Sequence, residues 1–132
     1  MKLITRDTDY ATRALICIAQ QKKKIVPVSY LVNCLKIPRP FLRKILQILN
    51  KKKLLKSYKG KGGGFMLGKP AKRIYIVDLI EIFQGPIKLN ECFLKKKICP
   101  SVKICKLKKK VDGIQKYVVS KLKDITIASL SN

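Results

Sequence analysis

The sequence predicts a mainly α fold with a small β wing, closed by a long C-terminal helix. Three observations predict it. Apolar residues recur at spacings of three and four in successive segments. A glycine-rich stretch near the middle lies between two short runs of strand character. The last segment carries one narrow apolar seam where a globular helix would show a broad face.

Taken in order, Tyr10, Ala11, Ala14, Leu15, Ile18 and Ala19 define one face of a first helix, with Asp7 or Thr8 as the expected N-cap and an end near Gln21. The basic run 22–24 and Pro27 break that pattern. Ser29 is the expected cap of a short second helix carrying Leu31, Val32 and Leu35. A turn at Ile37, Pro38 and Arg39 leads to a third helix, with Pro40 in the first turn, where its missing N–H costs nothing. Phe41, Leu42, Ile45, Leu46 and Leu49 form its apolar stripe, and Arg43, Lys44, Gln47 and Lys51 its other face.

Residues 54–59 read as a strand, 60–64 as a turn and 65–67 as the return strand, with 74–76 as a possible third strand. Ile76, Leu79, Ile80 and Phe83 then keep helical spacing until Gly85 and Pro86 stop the helix. Near the end, Leu107, Val111, Ile114, Val118, Leu122 and Ile125 advance by four, three, four, four and three. Gly113 within this seam costs about 1 kcal/mol relative to Ala. A narrow seam after a complete small core predicts a partner helix, most simply the same helix of a second subunit. The alternative is that it packs back on its own domain. The expected organisation is a DNA-binding domain over 1–86, a cysteine loop over 87–106, and a dimerisation helix with a tail over 107–132.

Charge narrows the function. The 132 residues hold 31 Lys and Arg against 7 Asp and Glu, a formal charge of +24 that calls for an anionic partner. Nucleic acid leads and an acidic membrane surface trails. No apolar run approaches the roughly 18–20 residues of a spanning helix, and Arg6, Asp7 and Asp9 stand where the apolar part of a signal peptide would begin. A cytoplasmic protein with no membrane partner is expected. An enzyme is least supported, since there is no histidine, no nucleophile motif and no run of carboxylates.

Two short helices joined by a tight turn, the second with groove-reading side chains on its outer face, make a helix-turn-helix pattern. Arg pairs with guanine, Gln with adenine, and Lys reaches bases or phosphate. A solvated polar face would look the same in isolation. The hairpin strengthens the DNA reading, because Lys59 and Lys61 put charge at its tip while Gly62 and Gly63 permit close approach to a sugar-phosphate backbone. Its Gly and Lys spacing does not match a nucleotide-binding P-loop.

The stretches TDYATRALICIA, IPRPFLRKILQILNKKKLLKSYKGKGGGFML and IYIVDLIEIFQGP, followed by spaced cysteines and a long helix, resemble the Rrf-two family of winged-helix bacterial regulators. The similarity runs from residue 3 to about 130. It implies a homodimer on a pseudo-palindromic operator in double-stranded DNA, with the third helix in the major groove and the wing at the minor groove. By position, the base-facing candidates are Arg39, Phe41, Arg43 and Lys44, and the wing candidate is Lys59. Ser29, Pro40, Gln47, Lys61, Gly62 and Gly63 complete the expected DNA-binding set. Many relatives have an acidic residue where this chain has Arg43, so their operator sequences do not transfer.

Cys92, Cys99 and Cys105 are separated by six and five residues and resemble the ligand set of cluster-binding members. The resemblance implies an iron-sulfur cluster, 2Fe–2S or 4Fe–4S, whose state sets operator affinity. A fourth ligand is needed. One subtype takes a histidine where this chain has Lys108, and a protonated lysine has no lone pair to give. Another subtype completes its site with a carboxylate near the start of the first helix, contributed across the dimer, and Asp9 falls there. Asp9 as a helix-dipole partner, Asp7 as a substitute ligand, structural zinc, and unligated thiols in a repressor controlled by a metabolic partner protein all stay open. Cys17 and Cys34 lie in apolar helical stretches and read as core-filling. A structural RNA-binding protein is the remote alternative, which the lysine content alone would support.

Overall fold

The structure is a computed structural model that describes residues 2–21, 24–88 and 106–131. Helix α1 (Arg6–Gln20) begins after Thr5, which makes no side-chain cap hydrogen bond. Neither Asp7 nor Thr8 caps it. Thr8 is fully buried, and its hydroxyl donates to Gln84 Oε1 at 2.6 Å. A residue read as a surface cap is therefore a polar contact inside the fold, which is tolerable because its hydroxyl is satisfied. The predicted end holds, with Gln21 at the C-cap.

Helix α2 (Val28–Leu35) starts two residues earlier than expected, with Pro27 and not Ser29 at the N-cap, so Ser29 is its second residue. Lys36, in the left-handed region at φ 57°, turns the chain toward α3 (Arg39–Lys51), where Pro40 sits in the first turn as predicted. The α3 stripe of Leu42, Ile45, Leu46 and Leu49 is buried throughout, at 2% exposure or less. Burying one such side chain is worth about 1.5–3 kcal/mol, so this stripe fixes how α3 sits on the core.

The wing is an antiparallel pair, β1 (Leu55–Tyr58) and β2 (Gly64–Leu67), registered Leu55 to Leu67 and Tyr58 to Gly64. The expected third strand at 74–76 does not join it. Val26 pairs with β2 instead, exchanging two backbone hydrogen bonds of 2.9 Å with Phe65. Tyr75 bridges Thr126, and the Ile127 N–H donates to the Ile74 carbonyl at 2.9 Å.

Helix α4 (Ile76–Gln84) ends at Gly85 as predicted. Its last residue ties the chain's beginning down: Gln84 Oε1 accepts from the Thr5 N–H and the Thr8 hydroxyl, and Gln84 Nε2 donates to the Leu3 carbonyl at 3.1 Å. The terminal segment is two helices where one was expected, α5 (Lys106–Leu122) and α6 (Ile127–Ser131). Helix α6 packs on α1, and Ile127 is fully buried. The end of the chain is thus part of the core shared with 1–86, where the sequence reading had a tail. Helix α1 lies at the centre, touching α2, α3, α4, α6 and β2.

Candidate nucleic-acid interface

The polar face of α3 follows from its period. With one stripe committed to the core, residues about half a turn away must face outward. Arg39, Pro40, Arg43, Lys44 and Gln47 are all exposed. Phe41 is exposed too, and the Arg6 guanidinium lies 5.0 Å from its ring centroid. That cation–π contact joins the start of α1 to the start of α3. Ser29 is exposed on the first turn of α2.

At the wing tip Lys59, Lys61 and Gly62 are exposed. Gly62 has φ +78°, which side-chain-bearing residues rarely adopt. A Cβ on Gly63 would collide with the Tyr58 carbonyl oxygen, so the turn can close only with glycine there. The tip is kept narrow, with its lysines outside.

Helix and wing meet across one open cleft. Arg43, Gln47 and Asn50 line it from α3, and Tyr58, Lys59 and Gly63 line it from the hairpin. Sequence reasoning had placed Arg43, Gln47, Lys59 and Gly63 at the interface but missed Asn50 and Tyr58. Asn50 was findable, being one turn beyond Gln47 on the same face. The outward position of Tyr58 depends on strand register, and Arg6 reaches Phe41 across 35 residues, with no local signal. No Asp or Glu occurs between Asp9 and Asp78, so nothing acidic in that stretch offsets the lysines and arginines around the cleft.

The expected metal ligands Cys92, Cys99 and Cys105 lie outside the described residues. Asp9 is in the first turn of α1, and its carboxylate pairs with Arg13 Nε at 3.0 Å, both side chains largely exposed. Lys108 is near the start of α5 and donates to Asp112 Oδ2 at 3.2 Å. Among the described residues no group of three metal-ligating side chains comes together. Of Cys17 and Cys34, read as core-filling, only Cys34 departs from the reading. Cys17 is buried on α1, but Cys34 is exposed on α2, with the two sulfurs 3.5 Å apart. Burial, reinforced by the neighbouring Cys34, pushes the Cys17 thiol up to about 12. No helix among the described residues is long and apolar enough to cross a membrane.

Comparison with known proteins agrees with this architecture. The Rrf2 family model, described as an iron-dependent transcriptional regulator, matches residues 4–132. A protein of Aquifex aeolicus named as an HTH-type transcriptional regulator is 34% identical over 125 residues, covering 93% of this chain and 87% of the relative. Protein aau3 of Rhizobium meliloti is 31% identical over 105 residues, covering 79% of this chain and 68% of the relative. Among solved structures, CymR, the global cysteine regulator of B. subtilis, superposes with a TM-score of 0.80 at 22% identity, covering 99% of this chain and 97% of that one. IscR of T. potens superposes with a TM-score of 0.74 at 22% identity, covering 98% and 85%. At these identities the solved structures are similar in fold.

Proposed function

The chain belongs to the Rrf2 family of transcriptional regulators, and from that premise we propose that it is a homodimeric repressor whose operator affinity is set by an iron-sulfur cluster. One observation carries the DNA half of the proposal: the cleft where Arg43 and Gln47 of α3 face Lys59 and Gly63 of the wing. A helix in the major groove and a hairpin at the adjacent minor groove need this side-by-side placement. In this reading Arg43 reads a base, Gln47 reads or positions, and Lys59 and Lys61 neutralise phosphate. Ser29, Arg39, Pro40, Phe41, Lys44 and the turn glycines Gly62 and Gly63 complete the surface. The organised interface also favours duplex DNA over a structural role on RNA.

For the cluster half, the donor set fits in chemistry. Cys92, Cys99 and Cys105 supply three soft thiolates in a chain without histidine. Asp9 is the candidate fourth donor, contributed to the partner subunit. Its exposed pairing with Arg13 is worth about 0.3–0.5 kcal/mol, so the carboxylate exchanges partners at little cost. Lys108 donates to Asp112, which leaves it unsuited as the ligand. A bound cluster supplies a redox- and nitric-oxide-reactive centre. A ligand taken from the other subunit would couple that centre to dimer geometry, and so to the spacing of the two α3 helices.

The test is a fluorescence binding titration with anaerobic cluster-loaded and cluster-free protein on an operator selected from a random duplex pool. A difference of tenfold corresponds to about 1.4 kcal/mol. Equal affinities would remove cluster control and leave DNA binding standing. A second reading, a cluster-free repressor governed by a partner protein, is favoured by Lys108 standing where one subtype of the family takes its fourth ligand, a histidine. Iron and sulfide counts per subunit after anaerobic purification separate the two.

A further inference from the structure

Two thiols remain that the cluster reading does not use. Cys17 stands in the middle of α1 with 4% of its surface exposed, Cys34 in the last turn of α2 is open to solvent, and their sulfurs are 3.5 Å apart. Both are free. A disulfide bond is about 2.05 Å long, so the sulfurs need to close by about 1.5 Å. That movement is within reach of a side-chain adjustment combined with a small shift of α2.

We propose that Cys17 and Cys34 form a reversible disulfide site, separate from the loop cysteines, that responds to peroxide and repositions the recognition helix. The two thiols have unequal roles. Cys34 alone is accessible, so it meets the oxidant first. Its thiolate attacks one peroxide oxygen, the O–O bond breaks, and Cys34 becomes a sulfenic acid with release of hydroxide, which takes up a proton as water. The sulfur of Cys17 then attacks the sulfenic sulfur. The S–S bond forms, the S–O bond breaks, and the oxygen leaves as water with the Cys17 proton. Two thiols lose two electrons, and one peroxide is reduced to two waters. The buried Cys17 thiol is held protonated near neutrality, which keeps it from reacting with oxidant on its own, and its attack on Cys34 is carried by the 3.5 Å proximity, with its proton passing to the departing hydroxyl.

Placement gives the bond its effect. Cys34 is two residues before Lys36, the left-handed residue that turns the chain, and α3 starts at Arg39. Drawing Cys34 toward α1 therefore pulls on the turn that aims α3. Base readout depends on hydrogen-bond geometry at the ångström scale, so a small displacement there is felt at Arg43 and Gln47. This consequence rests on the DNA-binding reading above, whereas the chemistry of the pair does not.

The experiment uses the full chain, purified anaerobically and treated with hydrogen peroxide, then denatured, alkylated and digested with trypsin without reductant. Cleavage after Arg13, Lys22, Lys24 and Lys36 leaves Cys17 in peptide 14–22 and Cys34 in peptide 25–36, one cysteine in each. The expected product is these two peptides joined, absent after dithiothreitol and absent from Cys34→Ser. Cys34 joined to a loop cysteine, or overoxidised while Cys17 is alkylated, overturns the site. Binding to an operator selected with reduced protein is then compared before and after peroxide. The native chain should lose about fivefold or more beyond any loss in Cys34→Ser, which shares the loop cysteines. Equal losses overturn the coupling to DNA. Should the reduced protein select no operator, the DNA reading fails by itself, and the peptide result still reports on the thiol pair.

Discussion

Helix α3 and the terminal helix α5 are written in the same periodic code and meet different surroundings. In α3 the apolar stripe from Leu42 to Leu49 is covered by its own chain, against α1 and β1, while Phe41, expected in the same stripe, is exposed. In α5 only the C-terminal end is: Leu122 is buried and Val118 packs on the core, while Leu107 and Ile114 are 69% and 57% exposed. Periodicity states that a face is to be covered and leaves open by what. For α3 the answer is this chain, and its outer face is left to solvent. For α5 we propose that the answer is the same seam of a second subunit, because an apolar strip of that length is costly to leave in water.

The sharpest way to break this contrast is within α3. Leu46→Ala should cost about 2–5 kcal/mol of folding stability by urea denaturation, the range for emptying a fully buried leucine site. A loss under about 1 kcal/mol would mean that the stripe is not a packed one. On the opposite face, Arg43→Ala should leave stability within about 0.5 kcal/mol. It should also erase about 1–3 kcal/mol of discrimination at one base position. Identical losses on selected and random duplexes would reduce Arg43 to a phosphate contact.

For α5 the expected signature is association. Ile114→Asp should raise the dimer dissociation constant by about tenfold or more, near 1.4 kcal/mol, in sedimentation equilibrium. Helix content by circular dichroism should be unchanged. Unaltered association would give the seam a different partner. The smallest effect belongs to the wing. Lys59→Ala should weaken all duplexes alike and lower the log-log salt slope by about 0.9, one phosphate contact. A sequence-dependent loss would move Lys59 from charge to base readout.

Much of the cleft between α3 and the wing was legible in the sequence, for identifiable reasons. Arg43 and Gln47 are four residues apart and share a helix face by local geometry, and Gly62 and Gly63 announce a turn by what they lack. Asn50 shares the Gln47 face by the same local geometry and was overlooked, whereas Tyr58 was missed because its place in the cleft depends on how the hairpin lies across α3. Cys34 was misread as core because its neighbours are apolar, yet it faces outward from an eight-residue helix that fully buries only Leu31.

By itself the sequence determined the first four helices, the wing, the excess of positive charge and the polar face of α3. All of these depend on residues within a few positions of one another, where backbone period and turn chemistry leave few choices. Only the tertiary structure decided that Thr8 is buried against Gln84, that Val26 takes the edge of β2, and that 74–76 pairs with 125–127. It also decided that Arg6 covers Phe41 and that Cys17 meets Cys34. These contacts join residues that lie from 17 to 76 positions apart in the hydrogen-bonded cases, and no local pattern specifies them. They are selected together when α2, α3, α4, α6 and β2 close on α1, because the packing that leaves the fewest buried groups unpaired is a property of the whole chain.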